Sequence, residues 1–402
     1  MRKIYMLIAL CFMLRVCAQD DNAAYRRSSI YSLMVKHRNQ EYSEDISRVF
    51  SVMPVPEKYN EHDLSVKVVS IDEKKLKDST DVSEFLNRNM VASRLVGKWF
   101  NRDVVTGTCD MELIKERGAY NSGAFDRELA KYSVRGNAML EDAGEDLIGN
   151  TFVLVNDIRY INKATGSQVF ANVVRVIGAI SDMQSGKVAS GNNKNSMEDM
   201  AAMIETYKGF KVKIHTYLYQ LIWDSESSSL FYRDCYADTP SNEKSANFDR
   251  LRGKFKLQYI GEQESSGSKT SFLGINEEEP MLMVRKACQR ALDENVANLQ
   301  RNFDVFKVKV PLISVEPLMA DIGKKEGITE NSKFEVLETV TDKNGKTKYN
   351  RVGVIAPVTG KIWDNRFMAQ EEGAEGADYK YTTFRKISGG RFYKGMLIRE
   401  IK

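Results

Sequence analysis

The residues best suited to chemistry in this sequence lie on one aromatic segment in the second half of the chain. The residues stand at positions i, i+2, i+4 and i+8, namely His215, Tyr217, Tyr219 and Trp223. If the segment is a β-strand, their side chains share one face. Aromatic faces stack on sugars and peptides, so the pattern predicts a binding face. Packing within a sheet is the favoured alternative, because aromatic side chains pack well on pleated surfaces. A half-buried structural histidine is likewise favoured over a catalytic one at His215.

The sequence offers no complete motif for other chemistry. His37, His62 and His215 are the only histidines, and no two of them have metal-chelating spacing. His-Glu-x-x-His and Gly-x-Ser-x-Gly are both absent. Asn344-Gly-Lys-Thr347 ends like a Walker motif, but Val340 stands where its first glycine belongs. The acidic run at 277–279 is typical of a solvated loop. We therefore predict no metal, no cofactor and no catalytic residue.

Composition and charge exclude several classes of protein. The chain has 402 residues, of which 42% are hydrophobic and 28% charged, as in a folded globular protein of two or three domains. From Gln19 onward, 56 Lys and Arg residues stand against 55 Asp and Glu residues. A net charge near zero provides no global basic field, so no nucleic acid partner is predicted.

The first eighteen residues have the layout of a secretory signal peptide. Arg2 and Lys3 precede an uncharged apolar run at 4–14, and Val16-Cys17-Ala18 supplies a cleavage pattern before Gln19. The apolar run is shorter than the roughly 20 residues that span a bilayer. Lipidation at Cys17 and a buried N-terminal helix are the alternatives. We expect cleavage near Ala18 and a periplasmic, outer-membrane-associated or extracellular protein with no transmembrane helix.

Three cysteines follow the leader, namely Cys109, Cys235 and Cys288. Their number does not make a disulfide framework and their spacing fits no zinc pattern. Buried free thiols are predicted at Cys235, in a predicted strand, and at Cys288, in a predicted helix. One bridge with one free thiol is the alternative in an oxidising compartment.

The elements that would position these residues fall into three regions after the signal peptide at 1–18. Residues 19–148 are predicted to be mostly helical, with a helix that starts near Asp81, where Asp81 and Glu84 form a capping signature, and continues to residue 100. Residues 149–304 form a central α/β domain. Its predicted elements are a buried strand at 151–160, helices at 168–180 and 196–207, a hairpin of 210–223 with 230–236, a strand around 255–259 and a helix at 281–303. For 168–180 a strand is the alternative.

Residues 305–402 are predicted to form a small β-barrel. The segment 306–315 alternates, an Asn-Gly hairpin turn occurs at 344–345, and short strands follow at 352–356 and 379–384. The predicted fold class is therefore α+β, with a helix-containing N-terminal region, a central mixed α/β domain and a C-terminal small barrel.

Part of this region resembles a known module. Gly323 and Gly327, the segment Phe334–Leu337 and the closing Gly395–Ile398 look like the small β-barrel of bacterial envelope proteins, such as the flagellar T-ring accessory protein. The resemblance implies that Gly323 and Gly327 permit tight bends before the next strand. The order of the upstream elements is similar to the periplasmic domain of curli-secretion-type proteins. Pore formation is not implied, because the sequence has no obvious transmembrane hairpins. The leader resembles those of secreted Bacteroidetes proteins.

Together these patterns predict an exported, non-enzymatic envelope protein that acts as an assembly or interaction module. Its expected partners are envelope proteins. The alternative is an extracytoplasmic glycan-binding protein or hydrolase that uses the aromatic segment from Tyr217 to Trp223.

Overall fold

The computed structural model describes residues 27–37, 39–70, 78–121, 134–161, 212–266, 280–341 and 347–401. These residues form helices and two β-sheets, so the predicted α+β class is confirmed. The leader at 1–18, the helices predicted at 168–180 and 196–207, the acidic run at 277–279 and the turn at 344–345 lie outside the described residues.

The first sheet has strand order β2-β1-β4-β5-β6, with β3 also beside β1. Its strands are β1 (Ser29–Lys36), β2 (Asn60–Glu61), β3 (Val68–Ser70), β4 (Thr151–Tyr160), β5 (Val212–Leu221) and β6 (Leu257–Ser266). β1 runs parallel to β2, β3 and β4, whereas β5 is antiparallel to β4 and β6. The apolar start of β4 is buried on both faces, as its unbroken hydrophobic run predicts.

Helices cover both faces of this sheet. They are α1 (Ser43–Val52), α2 (Ser79–Arg88), α3 (Val91–Trp99), α4 (Glu112–Asn121), α5 (Val134–Ile148), α6 (Ser225–Leu230), α7 (Asn242–Leu251) and α8 (Pro280–Asn302). One face packs on α1 and α8, and the other on α2, α3, α4 and α5. The single helix predicted from Asp81 to residue 100 is two helices, because Met90 takes a left-handed conformation with a φ of 52°. The cap of α2 is Asp78, whose carboxylate accepts from the Thr80 and Asp81 amides.

The first sheet spans the predicted boundary at 148/149, because β1, from the region predicted to be mostly helical, pairs with β4. The hairpin predicted for 210–223 and 230–236 is wrong. Asp224 caps α6 through the Ser227 amide, and Phe231–Cys235 continue as a π-helix that buries Phe231 against Phe100. The antiparallel partners of β5 are instead β4 and β6.

The C-terminal strands form a ring-like six-stranded sheet. The strands are β7 (Val310–Val315), β8 (Leu318–Ala320), β9 (Lys333–Thr341), β10 (Thr347–Pro357), β11 (Thr382–Gly389) and β12 (Leu397–Ile401). Pairing runs β10-β11-β8-β7-β12-β9 and returns to β10. The prediction of a small barrel is corrected to this ring, because β7 and β12 share only two residue pairs and β8 and β11 only three. The antiparallel pairing of β9 with β10 confirms the predicted hairpin.

Helix α8 joins the first sheet to the ring. On the sheet side, buried Asn295 donates to the Thr216 hydroxyl on β5, which donates to Asn156 on β4 at 2.8 Å. On the ring side, Glu372 accepts from Lys286 and Arg290, two α8 residues. Because both contacts are directional, they fix the position of α8 between the two sheets.

Replacing Thr216 with valine is expected to lower the free energy of unfolding by about 2–3 kcal/mol. The shape is conserved, but Asn156 and Asn295 each lose a hydrogen bond in a fully buried site. Urea unfolding measures the change. Thr383→Val is the control, because within the described residues the Thr383 side chain makes no hydrogen bond. Equal stabilities for the two variants would contradict the role given to the buried network.

Candidate functional site

The carboxyl ends of β1 and β4 form a topological switch point. After β1 the chain passes through α1 to β2 and β3 on one side of β1. It then returns over the opposite face of the sheet to β4, on the other side of β1. In open α/β sheets, ligands bind outside the carboxyl ends of strands where the connections diverge in this way. A ligand site is therefore expected at this end of the sheet.

A buried ion pair occupies that position. His37 directly follows β1, and its Nε2 lies 2.6 Å from Oδ1 of Asp157 on β4. Arg159 donates to both carboxylate oxygens of Asp157, at 2.6 Å from Nη2 to Oδ2. Burial by itself raises the pKa of Asp157, but the hydrogen bonds and charges of His37 and Arg159 outweigh burial and leave that pKa below its ordinary value. Asp157 is therefore held ionised.

The neighbouring strands extend this group toward solvent. His215 on β5 lies opposite Asp157 in the strand register, and its ring stacks on Tyr217 at a centroid distance of 4.4 Å. Nε2 of His215 is 3.6 Å from Oε2 of Glu262 on β6. We call His37, Asp157, Arg159, His215 and Glu262 the strand-end cluster. Its outer members, His215 and Glu262, have partly exposed side chains that a ligand at this end of the sheet could contact.

The aromatic face predicted from the sequence lies mostly inside the protein. Tyr217 and Tyr219 are 4% and 1% exposed, and the Tyr219 hydroxyl donates to the Ser79 carbonyl at the start of α2. Burial raises the pKa of both phenols to about 12. Trp223 lies beyond the end of β5 and packs on Phe100 and Phe231. Of the four predicted residues, the structure places only His215 in the strand-end cluster with a partly exposed side chain.

Four members of the strand-end cluster were not predicted from the sequence, namely His37, Asp157, Arg159 and Glu262. The available signal was a polar residue that follows a buried apolar run, which occurs at His37 directly after β1 and at Asp157 within the last residues of β4. The parallel pairing of β1 with β4 could not be predicted from these residues, since the two strands are far apart in the chain.

The third histidine lies in a separate buried group at the opposite end of β1. His62 packs edge-on against Trp99, and its Nε2 is 3.2 Å from Nη1 of Arg117. Burial, and next the nearby charge of Arg117, lower the pKa of His62 to about 3. The neutral imidazole therefore has a packing role here.

The structure bends the chain at both glycines singled out from the sequence. Gly327 has a φ of 79°, which favours glycine. A side chain at Gly323 would come within 2.4 Å of the Trp363 carbonyl oxygen. The two glycines flank a 3-10 helix at Lys324–Glu326 that precedes β9.

All three described cysteines are buried free thiols, as predicted for Cys235 and Cys288. Burial raises the pKa of Cys235 to about 11 and that of Cys288 to about 12, which keeps both thiols protonated. Cys235 lies in the π-helix rather than in the strand predicted for it.

The described part of the chain has no cluster of three or more His, Cys, Asp or Glu side chains arranged for a metal ion. Within those same residues, no helix combines the length and the apolar character that crossing a membrane requires.

A second candidate site lies on the surface of the ring. Residues 379–394 contain five exposed cations and no acidic residue. We call this segment the cationic face; its cations are Lys380, Arg385, Lys386, Arg391 and Lys394. Four large apolar or aromatic side chains of the segment are also exposed, namely Tyr379, Tyr381, Ile387 and Tyr393. Among the residues that the structure describes, none of the five cations is paired with a carboxylate.

Comparison with known proteins identifies no matching family and no similar curated protein.

Proposed function

We propose that this protein is an exported, non-enzymatic envelope protein that acts as an assembly or interaction module. The cationic face carries the proposal, because it combines free positive charge with exposed aromatic side chains. A surface of that composition is suited to contact with a large anionic partner. The inner members of the strand-end cluster differ from the cationic face, since His37 and Arg159 are both bonded to Asp157.

The sequence of the leader supports export. Arg2 and Lys3, the apolar run at 4–14 and the small residues before Gln19 together meet the requirements of a signal peptide. Export would place the folded body in the periplasm or at the outer surface, where envelope proteins are available as partners.

The junction between the two sheets supports a module that acts as one body. Lys286 is 3% exposed and forms its ion pair with Glu372 across the junction. Arg290 also donates to the Phe367 carbonyl of the ring at 2.9 Å. Paired charges in a buried junction are costly to separate. The ring would therefore present its surface from a fixed position relative to the first sheet.

Cell fractionation and mass spectrometry of the N-terminus in a Gram-negative host test the proposal. We expect a chain that begins at Gln19 in the envelope fractions, and crosslinks to envelope proteins. Replacing Leu7 and Leu10 with arginine interrupts the apolar run and should retain the protein in the cytoplasm with its leader intact. An intact leader on the unaltered protein in the cytoplasm would overturn the proposal. A lipid on Cys17 would instead identify a lipoprotein.

The strand-end cluster favours a second candidate, an extracytoplasmic glycan-binding protein or hydrolase. Its position at a switch point and its partly exposed His215 and Glu262 are the supporting observations. A glycan array tests it with the variants His215→Gln and Glu262→Gln, and with Lys254→Gln as an exposed control. Binding or turnover lost in the first two variants alone would favour this candidate. An array without signal would dismiss it.

A further inference from the structure

We infer that the cationic face binds the phosphate groups of an anionic phospholipid surface. The inference deepens the proposed function and rests on it in one respect, since export would bring the face close to lipid headgroups. The ligand chemistry is a laterally extended array of phosphates, contacted by several cations together with apolar side chains that reach the interface.

Strand geometry directs part of the face outward. Thr382 and Phe384 of β11 are buried in the ring. Because side chains alternate along a strand, Thr383 and Arg385 point to the outside. Beyond Phe384, β11 pairs with β10 and no longer with β8. The half of β11 from Arg385 to Gly389 therefore extends beyond its pairing with β8, and its side chains are exposed.

The loop after β11 carries two further cations, Arg391 and Lys394, close to Lys386 of the strand. Nζ of Lys386 donates to the Gly390 carbonyl at 2.6 Å and lies 4.9 Å from the centre of the Phe392 ring. This contact holds Lys386 beside the loop that carries Arg391 and Lys394. The Arg391 guanidinium lies 5.7 Å from the Tyr393 ring. Lys386 and Arg391 thus lie close to the aromatic side chains of Phe392 and Tyr393.

Net charge is distributed unevenly along the chain, with the excess of cations in the region that forms the ring. Residues 305–402 contain 18 Lys and Arg residues against 13 Asp and Glu residues, whereas residues 19–304 contain 38 against 42. An anionic surface therefore attracts the region of the ring, residues 305–402, and repels residues 19–304. A protein with this distribution approaches the surface with the ring first.

The exposed apolar side chains favour a lipid surface over other polyanions. Ile387 is 45% exposed and lies at an irregularity of β11, between Lys386 and Ser388. An aliphatic side chain gains little against a sugar or a nucleobase, but it can enter the interface of a bilayer. Tyr379, Tyr381 and Tyr393 have the amphipathic rings that are enriched at that depth.

Co-sedimentation with vesicles tests the inference on the purified protein as the host produces it. The probes are vesicles of phosphatidylglycerol and phosphatidylcholine in equal parts, and vesicles of phosphatidylcholine alone. We expect binding to the first only, weakened by salt. Reversing the charge at Arg385, Lys386, Arg391 and Lys394 to glutamate should weaken binding at least about tenfold. Ile387→Asn should weaken it less.

The matched control reverses four exposed cations elsewhere, Arg250, Arg252, Lys254 and Lys256. It has the same composition and the same change in net charge, and it should alter binding less than about threefold. Circular dichroism confirms that both variants fold.

Three outcomes would overturn the inference. They are a lack of binding to anionic vesicles, an equal loss in the control variant, and stronger binding to an anionic polysaccharide or single-stranded DNA than to vesicles. Localisation is measured separately. A protein that binds vesicles but remains in the cytoplasm with its leader would overturn the proposed function and leave the lipid contact standing.

Discussion

Replacing Gly118 with alanine is expected to destabilise the protein by about 3 kcal/mol or more, whereas the same change at Gly97 is expected to be neutral or stabilising. Both glycines lie inside helices, Gly118 in α4 and Gly97 in α3. An alanine at either position improves the intrinsic helix propensity by up to about 1 kcal/mol. The opposite signs arise from what the new methyl group would meet.

The contact at Gly118 is between backbones. A Cβ there would lie 1.7 Å from the Leu140 carbonyl oxygen of α5, and one at Gly144 would lie 2.1 Å from the Ile114 oxygen of α4. Backbone cannot rotate away, so the two helices would have to separate. At Gly97 the nearest atom is Cζ of Phe248 at 3.8 Å, an ordinary contact distance.

Urea unfolding of Gly118→Ala, Gly144→Ala and Gly97→Ala decides the matter. We expect the first two to unfold at much lower urea concentrations than the unaltered protein, or to be recovered unfolded. Gly97→Ala should unfold at the same concentration or higher. Similar midpoints for Gly118→Ala and Gly97→Ala would show that α4 and α5 do not approach as closely as described.

Asp293→Asn is expected to stabilise the protein at pH 8 by up to about 4 kcal/mol. Asp293 lies on α8 and is 5% exposed. Gln289 donates to its Oδ1, while Oδ2 has no hydrogen-bond partner among the described residues. Burial raises the pKa of this carboxyl from 3.8 to about 7, although the positive charge of Lys325 opposes the increase. The negative charges of Glu326 and Glu57 also raise the pKa of Asp293.

The direction of the pH dependence follows from this raised pKa. In the folded state the carboxyl keeps its proton up to about pH 7, whereas in the unfolded state it loses the proton near pH 4. Stability from this group is therefore complete below pH 4 and is lost as the pH rises to 7 and above. One pKa unit corresponds to about 1.4 kcal/mol, which sets the upper limit. Asparagine cannot ionise and avoids the loss.

Unfolding free energies at pH 4 and pH 8 test the effect. The gain from Asp293→Asn should be present at pH 8 and nearly absent at pH 4. Asp238→Asn, at an exposed position, is the control and should change little at either pH. A gain of the same size at both pH values would exclude ionisation of Asp293 as its cause.

Local patterns predicted the elements that local interactions determine. The apolar run of β4, the alternation of Leu257 and Tyr259 in β6 and the apolar stripe of α8 each appear in the structure. The strand predicted for Leu230–Tyr236 was wrong because contacts from distant parts of the chain determine its structure. Its aromatic residues are typical of strands, but Phe231 packs on Phe100 and Phe255 from other parts of the chain. Tertiary packing determined its helical conformation.

Local patterns likewise predict only those parts of the candidate sites that lie on a single element. His215 was accessible to sequence analysis because it lies on one alternating strand. Its neighbours His37 and Asp157 come together through the pairing of two parallel strands, which no local pattern records. The cationic face was missed because a net charge summed over the chain conceals a basic ring joined to an acidic body.

The position of β1 in the first sheet has a consequence for biogenesis. It is the first described strand to leave the ribosome, yet it ends between β4 on one side and β2 and β3 on the other. Its longest partner, β4, is not complete until Tyr160 has been synthesised. Until then the apolar segment Ile30–Val35 lacks most of its cover and remains open to a chaperone. The export proposed above would use this interval, in which the N-terminal part of the chain is not yet packed into the sheet.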